Sequence, residues 1–138
     1  MLTRRGFAGC AICAVTGFIA TEASAQGAPP AAQAGFVRKV MQQMDGPMPG
    51  YVTILVEATV EPGVVIGRHT HPGIETSYVV EGSIELPIQG KETKTFSAGE
   101  TYQIAADTPH AGGKASDKRT RISSTYVVEK GKPLASPA

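Results

Sequence analysis

The feature that most constrains this chain is the rhythm of its turn-forming pairs. Pro62-Gly63, Pro72-Gly73, Glu81-Gly82, Gln89-Gly90, Ala98-Gly99 and Asp107-Thr108-Pro109 follow one another at short intervals. Glycine supplies positive φ at low cost and proline presets the first turn angle, so each pair is a place to reverse direction. The runs between them are rich in Val, Ile, Thr and Tyr, the residues that suit a pleated, half-buried surface. Segments this short leave no room for βαβ units. They predict one all-β domain, a sandwich or barrel.

Residues 51–61, YVTILVEATVE, form the clearest strand, with Val52, Ile54, Val56, Ala58 and Val60 on one face and Thr53, Glu57, Thr59 and Glu61 on the other. Residues 120–129, TRISSTYVVE, read as the last long strand. In 83–89, SIELPIQ, Pro87 removes a ladder donor and implies an edge or a bulge. Residues 26–35 look like a flexible lead. In FVRKVMQQM, 36–44, Phe36, Val40 and Met44 fall at helical spacing, and the same stretch also fits an edge strand. Together 26–50 form a lead and N-terminal arm, and 129–138 a C-terminal tail. No internal repeat is visible.

The first 25 residues read as a secretory signal peptide. Arg4-Arg5 precede an apolar run from about Phe7 to Ala20, and Ala23-Ser24-Ala25 forms a small-residue cleavage site. Thr3-Arg4-Arg5-Gly6-Phe7 resembles a twin-arginine signal, which implies export of a folded protein to the periplasm. Both cysteines, Cys10 and Cys13, lie in this segment, so residues 26–138 offer no thiolate and no disulfide. Of 13 basic and 12 acidic residues, removal of Arg4, Arg5 and Glu22 leaves 11 of each. A neutral mature chain gives no basis for a nucleic-acid or membrane partner.

The chemistry concentrates in GRHTHPGIETSYVVEG, residues 67–82. His69 and His71 stand at i and i+2 on a strand, so both imidazoles project to one face, about 6–7 Å apart along the backbone. A turn at Pro72-Gly73 returns Glu75 to the same side, which completes a facial set of two histidines and a carboxylate. The remaining histidine, His110, enters another strand after Asp107-Thr108-Pro109 and is the candidate fourth donor. Each of these residues alone would pass as a polar turn residue. All three histidines of the chain in one spaced pattern with a glutamate favours a metal site.

The spacing Gly63, His69-Thr70-His71, Glu75, Gly82 resembles the first motif of the cupin superfamily at every fixed position. Gly99, Ala105, Asp107, His110 and Lys114 resemble the second motif, with the family's proline, glycine and asparagine replaced by Ala105, Asp107 and Lys114. The resemblance covers about 51–128 and implies a cupin-type β-barrel, the double-stranded β-helix or jelly roll. It also implies a metal held by His69, His71, Glu75 and His110, and a homodimer formed by sheet extension through residues 36–50.

A set of imidazoles and one carboxylate suits a divalent transition metal: Fe or Mn if loaded before export, with Ni, Co, Cu or Zn also compatible. Cupins span dioxygenases, decarboxylases, isomerases and lyases, and fold does not choose among them. The expectation is a metal-dependent enzyme of dioxygenase type acting on a small oxygenated compound. The alternative is a non-catalytic module that binds metal or a small ligand. Ser77 and Val79 share the side of Glu75, whereas Tyr78 and Val80 face away. Tyr102 and Gln103 are candidates to line the mouth, and Arg68 is expected outside. No separate catalytic acid or base is evident.

Overall fold

The computed structural model describes residues 33–138; the export segment read at 1–25 lies outside the described residues. Ten strands follow: β1 (Phe36–Asp45), β2 (Tyr51–Val60), β3 (Val65–Thr70), β4 (Gly73–Glu81), β5 (Ser83–Leu86), β6 (Lys94–Ser97), β7 (Thr101–Ile104), β8 (His110–Ala115), β9 (Thr120–Glu129) and β10 (Ser136–Pro137). They build two five-stranded antiparallel sheets, ordered β1-β2-β9-β4-β7 and β10-β3-β8-β5-β6. No helix occurs among the described residues. The all-β expectation holds.

Strict alternation sets the core. Val52, Ile54, Val56, Ala58 and Val60 of β2 are buried, as are Thr120, Ile122, Ser124, Tyr126 and Val128 of β9. One apolar cluster joins the sheets through Val60, Val79 and Ile122 on one side and Ile66, Ile84 and Leu86 on the other. A second surrounds Ile54, Val56 and Tyr126, with Leu134 packed against it. Each buried Val, Ile or Leu side chain contributes about 1.5–3 kcal/mol relative to exposure, the main force closing the two sheets.

Residues 36–45 are a strand, and the helical spacing of Phe36, Val40 and Met44 is not used. β1 pairs antiparallel with β2 from Phe36↔Val60 to Asp45↔Val52, with a register irregularity between Val40 and Gln42. Without this partner, β2 would present an unpaired backbone edge, and strand pairing satisfies those groups along its whole length. Only Phe36 and Arg38 of β1 are partly sheltered, and the rest of the strand is exposed.

Pro87 marks an irregularity, as its missing N–H requires. β5 ends at Leu86, and its ladder with β8 (Ile84↔Ala115, Glu85↔Lys114) resumes only as the bridge Ile88↔His110. Three residues on one strand now span four on the other. The extra residue falls at Gly112-Gly113, where Gly113 has φ 84°, the signature of a glycine bulge. A Cβ on Gly113 would stand 1.9 Å from the Glu85 carbonyl oxygen, and one on Gly112 would stand 2.2 Å from Ile66. The bulge shifts the inward phase of β8, so that both Ala115 and His110 are buried.

Candidate metal centre

The three histidines and Glu75 converge from both sheets. His69 sits near the end of β3, His110 opens β8 directly opposite it, and His71 lies in the turn after β3. Glu75 comes from β4 in the other sheet, where unbroken alternation buries Gly73, Glu75, Ser77 and Val79 together. The imidazole centroids lie 4.3 Å (His69–His110), 4.9 Å (His69–His71) and 5.1 Å (His71–His110) apart. One ring nitrogen from each histidine falls within 4.8 Å of the other two. All four side chains are buried.

Backbone carbonyls fix how each ring is presented. His69 Nδ1 donates to Gly67 O at 2.7 Å, His71 Nδ1 to Leu134 O at 2.5 Å, and His110 Nδ1 to Thr108 O at 2.9 Å. A carbonyl can only accept, so the proton resides on each Nδ1 and each Nε2 carries a lone pair. The turn that carries His110 uses Asp107 where the family has glycine. Asp107 adopts φ 54° and its N–H donates to His71 O at 2.9 Å, a left-handed conformation that aspartate tolerates. The replacement therefore preserves the turn.

The carboxylate faces these lone pairs. Glu75 Oε2 lies 3.0 Å from His71 Nε2 and 3.7 Å from His110 Nε2. His71 Nε2 is buried without a hydrogen-bond partner. With the proton on Nδ1, a lone pair of His71 meets a carboxylate oxygen, and two acceptors in contact require a cation between them. A second proton on His71 would relieve one contact. A metal ion among the three clustered imidazole nitrogens, with Glu75 Oε2 beside those of His71 and His110, would relieve the conflict, so the residues fit such an ion.

The other oxygen, Oε1, accepts from Ser77 Oγ at 2.7 Å, and Ser77 Oγ is 2.7 Å from Ser124 Oγ on β9. Burial would push the Glu75 carboxyl up, but in metal-free protein a proton between it and His71 Nε2, together with the Ser77 hydroxyl, outweighs burial and holds the group down at about 2. Burial drives His69 down to about 4, against the opposing pull of the Gly67 carbonyl. Burial also lowers His110, with the Thr108 carbonyl and Glu75 acting the other way. At neutral pH, His69 and His110 are neutral and Glu75 is ionised, the protonation that metal binding requires.

A cavity of about 30 Å³ opens on the donors, lined on its polar side by Arg38, His69, Glu75, Tyr102 and His110. It has room for about two water molecules. Tyr102 lines it while packing on Phe96, 5.1 Å between centroids. Burial raises the Tyr102 and Tyr126 hydroxyls, which keeps both phenols neutral. Tyr78 is 47 % exposed, away from the site. Arg68 points outward to Gln89 (2.8 Å), and Gln103 is exposed on Thr76 (3.1 Å) rather than at the mouth. Arg38 is the polar residue that sequence reading missed. Its signal was its place two residues after Phe36, which has meaning only once 36–45 is read as a strand.

A cupin domain family model matches residues 56–129, more than half of the chain. The chain belongs to the cupin superfamily. The cupin barrel is similar to a Klebsiella pneumoniae protein with a double-stranded β-helix domain, at TM-score 0.60 and 18% identity, over 80% of this chain and 90% of that one. It is also similar to KdgF from a Halomonas species (TM-score 0.53, 22% identity, 68% of this chain and 82% of that one). A recombinant oxalate oxidase in complex with glycolate gives TM-score 0.59 and 17% identity, over 78% of this chain and 57% of that one. These likenesses establish the fold. Comparison with curated protein sequences finds no match.

Proposed function

We propose that His69, His71, Glu75 and His110 hold one divalent transition metal ion, and that the cupin acts as a metal-dependent enzyme of dioxygenase type on a small oxygenated compound. The observation that carries this reading is the buried Nε2 of His71, 3.0 Å from a carboxylate oxygen with no hydrogen-bond partner. A bound ion of this class would supply Lewis acidity and open positions for oxygen ligands. The chain's own part is to aim three Nε2 lone pairs inward through backbone carbonyls and to keep Glu75 ionised through Ser77. It also shields the donors from bulk water. Fe or Mn is favoured if the twin-arginine signal exports the folded, loaded protein to the periplasm; Ni, Co, Cu and Zn suit the same donors.

The similarity in fold to oxalate oxidase and to DMSP lyases supports only that barrels of this shape can house enzymes. The small cavity favours a second reading, a module that binds metal or a small ligand without turnover. A homodimer is part of the proposal: Val37 (62 % exposed) and Met44 (70 % exposed) lie on β1, whose outer edge has no strand partner among the described residues.

The test is metal analysis of periplasmic protein, then oxygen uptake by iron- and manganese-loaded protein with diketones, catechols and flavonols. Absence of metal after reconstitution overturns the site. Bound metal without turnover favours the binding module. Sedimentation at micromolar concentration reads the oligomeric state.

A further inference from the structure

β1 delivers one cation to the donor set. Arg38 pairs with Ala58 across β1 and β2, and both line the cavity. Ala58 is the smallest of the five inward residues of β2, which leaves room for a guanidinium. The group lies over the Phe36 ring, 4.7 Å from its centroid, and Nη2 is 3.4 Å from His69 Nε2. Among the described ion pairs, Arg119 and Arg121 each hold glutamates, whereas none involves Arg38. Its polar partner is the lone pair that a metal ion would take. Once that lone pair is used, the guanidinium faces a like charge, and Glu75, on the same cavity, makes no ion pair with it. An anion between the two resolves that conflict.

We propose that Arg38 holds the carboxylate of a small acid that carries a second oxygen on the adjacent carbon, a 2-oxo or 2-hydroxy acid. The inference rests on the metal reading above and names the substrate class for that site. The planar fork of arginine matches a carboxylate with two parallel hydrogen bonds. Because Nη2 stands so near His69, an acid held there sets its neighbouring oxygen against the donor set. Arg38 is only half-buried, so the carboxylate stays at the mouth and only the neighbouring oxygen enters the small interior, whose apolar walls, Ile66, Leu86, Ile104 and Ile122, exclude a bulky or doubly charged tail.

The experiment uses pyruvate and its neutral methyl ester as probes, titrated calorimetrically into manganese-loaded protein. Wild type should bind pyruvate at least about tenfold more tightly than the ester, the scale of a hydrogen bond to a charged group. Arg38→Gln should abolish that preference with manganese content unchanged, and Arg38→Lys should keep part of it. Equal binding of acid and ester, no binding of pyruvate, or full preference in Arg38→Gln overturns the inference. Loss of manganese in Arg38→Gln overturns it too, by making Arg38 a support of the donor set. A wild type that holds no manganese overturns the metal reading instead. Arg38 is then judged by the same preference in metal-free protein.

Discussion

β4 and β8 both turn a donor into the barrel, by different routes. On β4 the alternation holds through the donor: Gly73, Glu75, Ser77 and Val79 point inward in sequence, and the register shifts only beyond them, between Val79 and Glu81. On β8 an extra residue at Gly112-Gly113 moves the inward phase by one, so that His110 and Ala115 share the interior although they are five positions apart. β4 aims Glu75 without a bulge, although Gly73 at its start also leaves no room for a Cβ, which would stand 2.0 Å from Val127 O. β8 needs two positions without side chains, because the Glu85 carbonyl and Ile66 occupy the space where Cβ atoms would sit. A donor aimed by pattern tolerates local change, whereas a donor aimed by a bulge depends on backbone geometry.

The strongest way to break this contrast is Gly113→Ala. Positive φ and a 1.9 Å approach to Glu85 O leave a methyl group nowhere to go, so the loss should reach about 3 kcal/mol or more. Urea unfolding reads it, and an unchanged midpoint would show that the bulge is dispensable. Next comes Glu75→Gln on the regular strand. It should lower the urea midpoint of metal-free protein at neutral pH less than Gly113→Ala does, through loss of the charge that acid also removes, while metal affinity falls beyond the roughly 10–100-fold that loss of a supporting contact costs. Wild-type affinity in that variant would remove Glu75 from the donor set.

Acid sharpens the comparison in metal-free protein. His69 and His110 bind protons less readily when folded, so the unfolded chain takes up protons first as pH falls below 6.5. Stability present above that value should therefore decline towards pH 4, where folded His69 titrates. Glu75 adds a further loss from 4.5 down to about 2. Thermal melts across this range check it, and a flat profile between pH 6.5 and 4 would contradict it. The smallest expected effect is Ser77→Ala, about 1 kcal/mol for one buried hydrogen bond. It should also raise the Glu75 carboxyl towards its ordinary value, seen as a smaller acid-linked loss that is complete at a higher pH.

The same two strands show what a sequence discloses. The alternation of 51–60, 73–79 and 120–128 is written in residue types, so the buried faces and the convergence of His69, His71 and Glu75 were legible. His110 was found by residue type and motif, while the bulge that orients it was not, because two adjacent glycines also read as an ordinary turn. The strand at 36–45 lost its signal because most of it is exposed, and burial is what writes alternation into a chain. Arg38 was hidden with it. The hydroxyl chain from Ser124 through Ser77 joins strands distant in sequence, and no local spacing marks it.

Leu134 offers His71 a carbonyl, not a side chain. Its side chain only packs on the apolar cluster beside Tyr126, so exchange for another aliphatic residue changes little at the metal centre. Insertion or deletion of a single residue between the end of β9 and β10 is different. It would move that oxygen and free the tautomer of His71. This stretch should therefore be permissive in spelling and strict in length.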